Sequence, residues 1–175
     1  MDWKRKRQVA KLVDGILEVY VLNRPPIQIV NDIMKKRGIY FEELDENDDE
    51  FCGIYLQDEI RKIIFVNANM YQPRKNFTIA HELGHHFLAH PLDNGMITCD
   101  KEMIFGNNKP ESEKEADYFA ICFLSPEKLV RSYIEKLNIE NEEEIIKHTA
   151  EYFKVSKEAM GYRLEELNII QKKEI

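Results

Sequence analysis

The sequence lacks the features of several classes of protein. Its three cysteines are odd in number, widely spaced and without a C-x-x-C pair, which argues against a disulfide framework and against a thiolate metal site. Asp14 and Glu18 interrupt the apolar stretch after the basic N-terminus, so neither a signal-peptide core nor a membrane span forms. We therefore expect a cytoplasmic protein without a membrane partner.

An excess of positive charge is also missing. With 25 basic and 32 acidic residues the formal net charge is −7, so we expect no direct nucleic-acid partner. Internal repeats and low-complexity segments are absent from the sequence as well. What is present is a hydrophobic content of 43% over 175 residues, enough to bury the core of one domain with a small helical appendage.

Hydrophobic periodicity and turn residues predict an α+β fold. The predicted elements are a helix over 3–22, a second from Pro25 or Pro26 to Gly38, strands over 39–44, 51–56 and 62–67, a helix from between Pro73 and Thr78 to about His90, a loop over 92–110, and helices over 112–124, 126–137, 141–153 and 157–168. This order predicts a small antiparallel sheet, packed on the helices that precede a helical C-terminal end.

Four of the five histidines lie within ten residues, at positions 81, 85, 86 and 90. On a helix, His81 and His85 are about 40° apart and roughly 6 Å along the axis, so both imidazoles can bind one ion. His86 and His90 point about 140° and about 180° away from His81, and we expect neither at that metal. Glu82 lies about 100° to the side, which suits a carboxylate that contacts water at the metal.

The segment from His81 to His85 is therefore an H-E-x-x-H zinc motif, with two histidine ligands and a glutamate as general base. An isolated match of this length also arises when two helix histidines fall four residues apart by chance. Gly84 adds context, because glycine inside a helix costs about 1 kcal/mol relative to alanine and usually marks close backbone approach. We expect the sheet or a substrate to approach there.

A third ligand is expected in the acidic segment that starts at Glu111. Glu113 shares a helix face with Asp117 and with small residues that can press against the histidine helix, whereas Glu115 points about 160° away. Glu113 then completes a two-histidine, one-glutamate zinc site, and Asp117 accepts a hydrogen bond from a ligand histidine. Ser112 and Glu115 also fit a helix capping box, which uses a different glutamate.

Longer segments resemble the ImmA/IrrE family of metallo-endopeptidases. They are RKNFTIAHELGH (74–85), EKEADYFA (113–120) and FLSP (123–126), with further likeness at IIFVN (63–67) and over 153–167. The sequence departs from the family pattern in two ways: Asp117 stands where asparagine is common, and His86 and His90 make the region after the motif unusual. The metzincin alternative is disfavoured, because Leu88 and Pro91 occupy its glycine and histidine positions.

The resemblance implies a compact zincin-like fold with Zn²⁺ bound by His81, His85 and Glu113, and with Glu82 as the catalytic base. Residues 1–130 would form the metallopeptidase domain, and 131–175 a helical segment packed on it. Members of the family act as anti-repressors, often in phage or mobile elements, and cleave helix-turn-helix repressors. The implied partner is thus a protein substrate, most simply such a repressor.

Several points stay open in the sequence. A hydrogen-bond donor that stabilises the negative charge of the transition state is expected, and its candidates, which we do not rank, are Tyr55, Tyr118 and His148. An extended substrate could pair with an edge strand within 51–56 or 62–67. A noncatalytic metal-binding regulator, or an interaction module of a repressor or toxin-antitoxin system, is the alternative function. Its DNA-binding form is disfavoured, because residues 141–175 carry eight acidic and six basic side chains.

Overall fold

The computed structural model describes residues 1–20, 24–48, 50–100 and 109–171. The elements in chain order are helix α1 (Trp3–Glu18), a 3-10 turn (Pro26–Ile29), α2 (Val30–Lys36), β1 (Ile39–Leu44), β2 (Phe51–Gln57), β3 (Lys62–Asn67), α3 (Gln72–Leu88), β4 (Met96–Asp100), α4 (Glu111–Leu124), α5 (Glu127–Leu137), α6 (Glu142–Phe153) and α7 (Lys157–Glu166). The α+β class predicted from the sequence is confirmed.

The sheet has the strand order β1-β3-β2-β4 and is mixed, so the prediction of a wholly antiparallel sheet is wrong. The predicted hairpin of β2 and β3 is antiparallel, and β4 pairs antiparallel with the other side of β2. β1 instead lies beyond β3 and pairs with it in parallel, with Ile39 opposite Lys62. β1, β3 and β4 therefore run in one direction, and β2 runs in the opposite direction. The described edges are β1 and β4, not β2 or β3.

Two predicted boundaries and one predicted loop differ in the structure. α1 ends at Glu18 rather than at residue 22, and residues 21–23 lie outside the described part of the chain. The expected loop over 92–110 contains strand β4, while 101–108 are likewise outside the description. α3 begins at Gln72 with Pro73 in its first turn, a position that proline tolerates because the N–H there has no helical partner.

α3 is the centre of the fold. One side of it packs on β2 and β3, and another packs along α4, which also contacts α1. The main cluster of buried apolar residues joins α1, α2, the sheet, α3 and α4. A buried helix must bring its polar side chains to partners within the protein, and α3 buries several of them.

A second cluster of buried residues joins the C-terminal helices, from Val130 to Ile170. Val155 packs against both clusters, and the buried Arg163 donates through Nε to the carbonyl of Ser125 at 3.1 Å. The division of the chain near residue 130 stays a prediction. Among the described residues, no helix is both long and apolar enough to cross a membrane.

Candidate metal centre

α3 and α4 bring four acidic and imidazole side chains together in the protein interior. His81, Glu82 and His85 are at most 1% exposed, and Glu113 is 3% exposed. The three α3 residues all lie on the buried part of that helix. Glu113 faces them from the first turn of α4. Such a group is costly to bury unless its members neutralise one another or bind a cation.

The distances among His81, His85 and Glu113 describe one point of convergence. Nε2 of His81 lies 3.0 Å from Nε2 of His85 and 3.1 Å from Oε2 of Glu113. Nε2 of His85 lies 3.4 Å from Oε1 of Glu113. Ligands about 2.0 Å from a tetrahedral Zn²⁺ are separated from each other by about 3.3 Å, so this arrangement fits zinc.

Asp117 engages the other nitrogen of His81. Its Oδ1 lies 2.9 Å from Nδ1 of His81, while its second oxygen pairs with Lys109. A proton on Nδ1, donated to Asp117, leaves the Nε2 lone pair of His81 directed at the convergence point. The sequence-based expectation for the geometry of Glu113 and Asp117 on one helix face agrees with this placement.

The electrostatic environment of the cluster favours a positive charge. Burial lowers the pKa of His81, but hydrogen bonds with Asp117, Cys99 and Glu113 outweigh this effect and raise that pKa well above its ordinary value. Burial lowers the pKa of His85, so the pKa values of the two imidazoles shift in opposite directions. Burial would raise the pKa of Glu113, but hydrogen bonds from both histidines lower it. The carboxylate groups that favour a protonated imidazole here would also attract a divalent cation.

Glu82 is buried beside this point. Among the described residues, neither carboxylate oxygen has a hydrogen-bond partner. Burial raises the pKa of Glu82 to about 8. Gly53 of β2 makes room for it, because a Cβ atom there would lie 3.0 Å from Oε1 of Glu82 and 2.6 Å from a methyl group of Thr78. An unpartnered carboxylate of raised basicity suits proton transfer.

Gly84 allows close approach, but its neighbour differs from the one expected. A Cβ atom at this position would lie 3.1 Å from Cα and 3.2 Å from the carbonyl oxygen of Ala116 in α4. The expectation that sheet or substrate approaches Gly84 is therefore wrong; the sheet approaches at Gly53. Residues 82 and 84 point about 160° apart on a helix, so one faces β2 while the other faces α4.

Cys99 of β4 also lies at the site, although cysteine spacing indicated no thiolate metal site. A ligand atom of Cys99 lies within 4.8 Å of ligand atoms of His81 and Glu82, and this group shares only His81 with the group of His81, His85 and Glu113. Burial raises the pKa of the Cys99 thiol to about 12. The sequence missed Cys99 because β4 was expected to be loop, so its direction could not be inferred.

His90 was expected on the far side of the helix, and that expectation is wrong. α3 ends at Leu88, and Ala89 adopts a left-handed conformation at φ 52°. The chain turns back, and Nδ1 of His90 comes to 2.9 Å from Nδ1 of His85. Pro91 was the available signal, because the residue before a proline disfavours helical geometry.

Glu115 contributes to the same corner of the site. α4 begins at Glu111 after Pro110, without a side-chain cap, so the capping-box interpretation of Ser112 and Glu115 is wrong. Glu115 instead accepts hydrogen bonds from Arg5 of α1 at 2.7 and 2.5 Å, and its Oε2 lies 3.3 Å from Nε2 of His90.

The three candidate hydrogen-bond donors for the transition state have other partners. The Tyr55 hydroxyl donates to Gln57 at 2.6 Å and lies 2.7 Å from Nδ1 of His86, whose pKa is lowered to about 4 by burial. Tyr118 lies under the ammonium group of Lys6, and His148 pairs with Glu144 on α6. The structure assigns none of the three to the convergence point.

A helix bearing two histidines and a carboxylate, crossed by a second helix bearing another carboxylate, defines a candidate mononuclear metal centre of the zincin type. The chain belongs to the M78 peptidase family, described as the IrrE N-terminal-like domain, which it matches over residues 34–165. This is a family of metallopeptidases. α1, which carries Arg5, precedes the matched region.

Two individual similarities accompany the family match. The chain is 33% identical over 84 residues to "Uncharacterized immunity region protein 2" of Bacillus phage phi105, covering 48% of this chain and 51% of that protein. It is also similar to a solved structure titled "Mycobacterium tuberculosis transcriptional regulator", with a TM-score of 0.59, 17% identity, and coverage of 93% of this chain and 49% of that one. The chain thus spans about half the length of each, and the second likeness concerns the fold alone.

Proposed function

We propose that this protein is a zinc-dependent endopeptidase. The observation that carries the proposal is the convergence of His81, His85 and Glu113 at about the separations of zinc ligands. Glu82 is buried beside them and has no hydrogen-bond partner in the part of the chain that the structure describes. Membership in a metallopeptidase family supports it. Asp117, bonded to Nδ1 of His81, would hold that ligand in its metal-binding tautomer.

In this proposal Zn²⁺, when bound, supplies a Lewis acid that polarises the scissile carbonyl and lowers the pKa of water. Glu82 accepts a proton from the attacking water as the water oxygen bonds to the carbonyl carbon. The same carboxyl group then gives that proton to the departing nitrogen as the C–N bond breaks. The second proton of the water passes from the new carboxyl group to the amine, so the products are a carboxylate and an ammonium group, and no covalent enzyme intermediate forms. Burial makes Glu82 a stronger base than an exposed glutamate.

The substrate strand would pair with β4. β4 is an edge of the described sheet, and its Cys99 lies at the site, whereas the other edge, β1, is separated from β4 by two strands. An edge strand leaves backbone N–H and C=O groups available to an extended peptide. A peptide held there runs past Glu82 with its backbone fixed, which suits cleavage at one defined bond.

The substrate we propose is a helix-turn-helix transcriptional repressor in the cytoplasm, which makes the protein an anti-repressor. The support is the family to which the chain belongs and its similarity to a protein named for a phage immunity region. The net charge of −7 supports contact with a protein rather than with DNA directly. Phage or mobile-element origin belongs to the same proposal.

The alternative is a noncatalytic regulator, or an interaction module of a repressor or toxin-antitoxin system, in which the metal is structural. The two functions differ in what Glu82 does. A structural site needs only its ligands, whereas a buried carboxylate without a partner is costly and has no role in holding the metal. The described α6 and α7 also bury Ile145, Ala150, Met160 and Leu164 in the C-terminal core.

The test is intact-mass spectrometry of the helix-turn-helix repressor encoded beside this gene, after co-expression with the wild-type protein or with Glu82→Gln. We expect one discrete cut with the wild type and none with Glu82→Gln, and the fragment masses identify the bond. An intact repressor that co-purifies equally with both proteins supports the noncatalytic alternative.

A further inference from the structure

The turn after α3 directs a second histidine at a proposed ligand. In a continuous helix, residues 85 and 90 would point about 140° apart and could not meet. The left-handed Ala89 ends the helix instead, and the backbone N–H of His90 donates to the carbonyl of His85 at 3.1 Å. This turn brings Nδ1 of His90 to 2.9 Å from Nδ1 of His85. The contact is partly buried, and the His90 side chain is 7% exposed.

The hydrogen-bond pattern admits one arrangement of protons when His85 binds metal. Nε2 of His85 faces His81 and Glu113, so it must carry a lone pair and Nδ1 must carry the proton. That N–H requires an acceptor, which is Nδ1 of His90. The proton of His90 then lies on Nε2, which donates to Oε2 of Glu115 at 3.3 Å. Each contact in the series is satisfied by this assignment.

Glu115 is itself held in place by Arg5 of α1. Arg5 donates to it through Nε at 2.7 Å and Nη2 at 2.5 Å, which is the two-bond geometry that fixes a carboxylate most firmly. Glu115 is 15% exposed, so the pair is partly shielded from water. The series from Arg5 through Glu115 and His90 to His85 therefore joins α1 to the proposed metal centre.

We propose that His90 is a positioning residue for the metal centre, which fixes the tautomer and ring orientation of His85. The proposal rests on the zinc site of the proposed function. It gives the two ligand histidines of α3 separate supports: His81 has the carboxylate of Asp117, and His85 has an imidazole backed by the carboxylate of Glu115. Partners of this kind typically change metal affinity about 10- to 100-fold.

The test measures zinc affinity of the full-length protein by competition with a chromogenic chelator. His90→Phe keeps a planar ring and removes the acceptor, and we expect it to bind zinc about 10- to 100-fold more weakly. His90→Asn places an amide oxygen close to the position of Nδ1, and we expect it to recover most of the affinity. His148→Phe, on the exposed surface of α6, is the matched control and should bind as the wild type does.

Two further readouts separate positioning from a general effect on folding. Urea unfolding of the metal-free proteins should differ little between the wild type and His90→Phe. In the zinc-loaded wild type, ¹H–¹⁵N correlation spectra should show the His90 proton on Nε2 and the His85 proton on Nδ1.

Wild-type affinity in His90→Phe, or a proton on Nδ1 of His90, would overturn the proposal while leaving the zinc site intact. If His90→Asn binds as weakly as His90→Phe, acceptance of a hydrogen bond is not the role and the proposal fails. A wild-type protein that binds no zinc would overturn the metal centre together with it.

Discussion

Gly84 of α3 lies directly against Ala116 of α4, and a Cβ atom on the glycine would be 3.1 Å from the Cα of Ala116. This contact sets the separation of the two helices that carry the proposed ligands. Backbone atoms of a packed helix cannot move aside as a flexible side chain can. The position of Glu113 relative to His81 and His85 therefore depends on the absence of a side chain at residue 84.

We expect Gly84→Val to lower the free energy of unfolding by about 1–3 kcal/mol and to weaken zinc binding, because it forces α4 away from α3. Urea unfolding and chelator competition measure the two effects. Gly15→Ala in α1 is the control: a Cβ atom there meets nothing within 4 Å, so the substitution should stabilise the helix by about 0.5–1 kcal/mol. Unchanged stability and zinc affinity in Gly84→Val would contradict the proposed helix contact.

Asp117→Ala should reduce zinc affinity or activity about 10- to 100-fold, because Nδ1 of His81 loses its acceptor. Asp117→Asn keeps an oxygen in place and removes the charge, so its loss should be smaller. Chelator competition on both variants tests this order. Equal affinities in the alanine variant and the wild type would show that Asp117 does not orient His81.

Glu82 predicts a pH dependence of the metal-free protein. Its usual pKa is 4.5, whereas burial raises it to about 8 in the folded state. Between these values the folded state holds a proton that the unfolded state has lost, so the contribution of Glu82 to stability falls as pH rises. Metal-free Glu82→Gln should therefore resemble the wild type below pH 4.5 and become progressively more stable than it up to about pH 8.

Urea unfolding of the two metal-free proteins at a series of pH values measures this difference. The series runs from about pH 4 to about pH 9, so that it spans both pKa values of Glu82. A stability difference that stays constant over this range would mean that Glu82 ionises normally in the folded protein. The comparison uses a difference between variants, so the titrations of other groups largely cancel.

Cys99→Ala should retain zinc, because Cys99 groups with His81 and Glu82 but does not join the group formed by His81, His85 and Glu113. Elemental analysis of the purified variant measures its zinc content. Loss of the metal in Cys99→Ala, but not in Cys122→Ala, would instead identify Cys99 as a fourth ligand. Cys122 is the matched control, since it is buried in the main apolar cluster.

The central elements of the site follow from local periodicity. The four-residue spacing of His81 and His85, and the position of Glu113 and Asp117 on one face of α4, depend only on helical geometry, which the sequence predicts well. The roles of these residues stay proposals. The surrounding strands were also predictable as elements, because β2 and β3 form a local hairpin.

Other features depend on contacts between distant segments. The parallel pairing of β1 with β3 and the place of Cys99 at the site arise from the order of strands in the sheet, which no local pattern records. The approach of His90 to His85 depends on one left-handed residue, Ala89, where alanine gives no signal of its own. Arg5 reaches Glu115 across 110 residues of sequence.

The most direct measurement compares the purified wild type with Glu82→Gln for two properties: zinc content by elemental analysis, and cleavage of the repressor encoded beside the gene by mass spectrometry. Our proposal predicts that both proteins contain zinc and that only the wild type cleaves. His85→Ala is the complementary control and should lose both zinc and cleavage. Cleavage by Glu82→Gln at the wild-type rate, or cleavage by a wild-type protein that holds no zinc, would contradict the proposal.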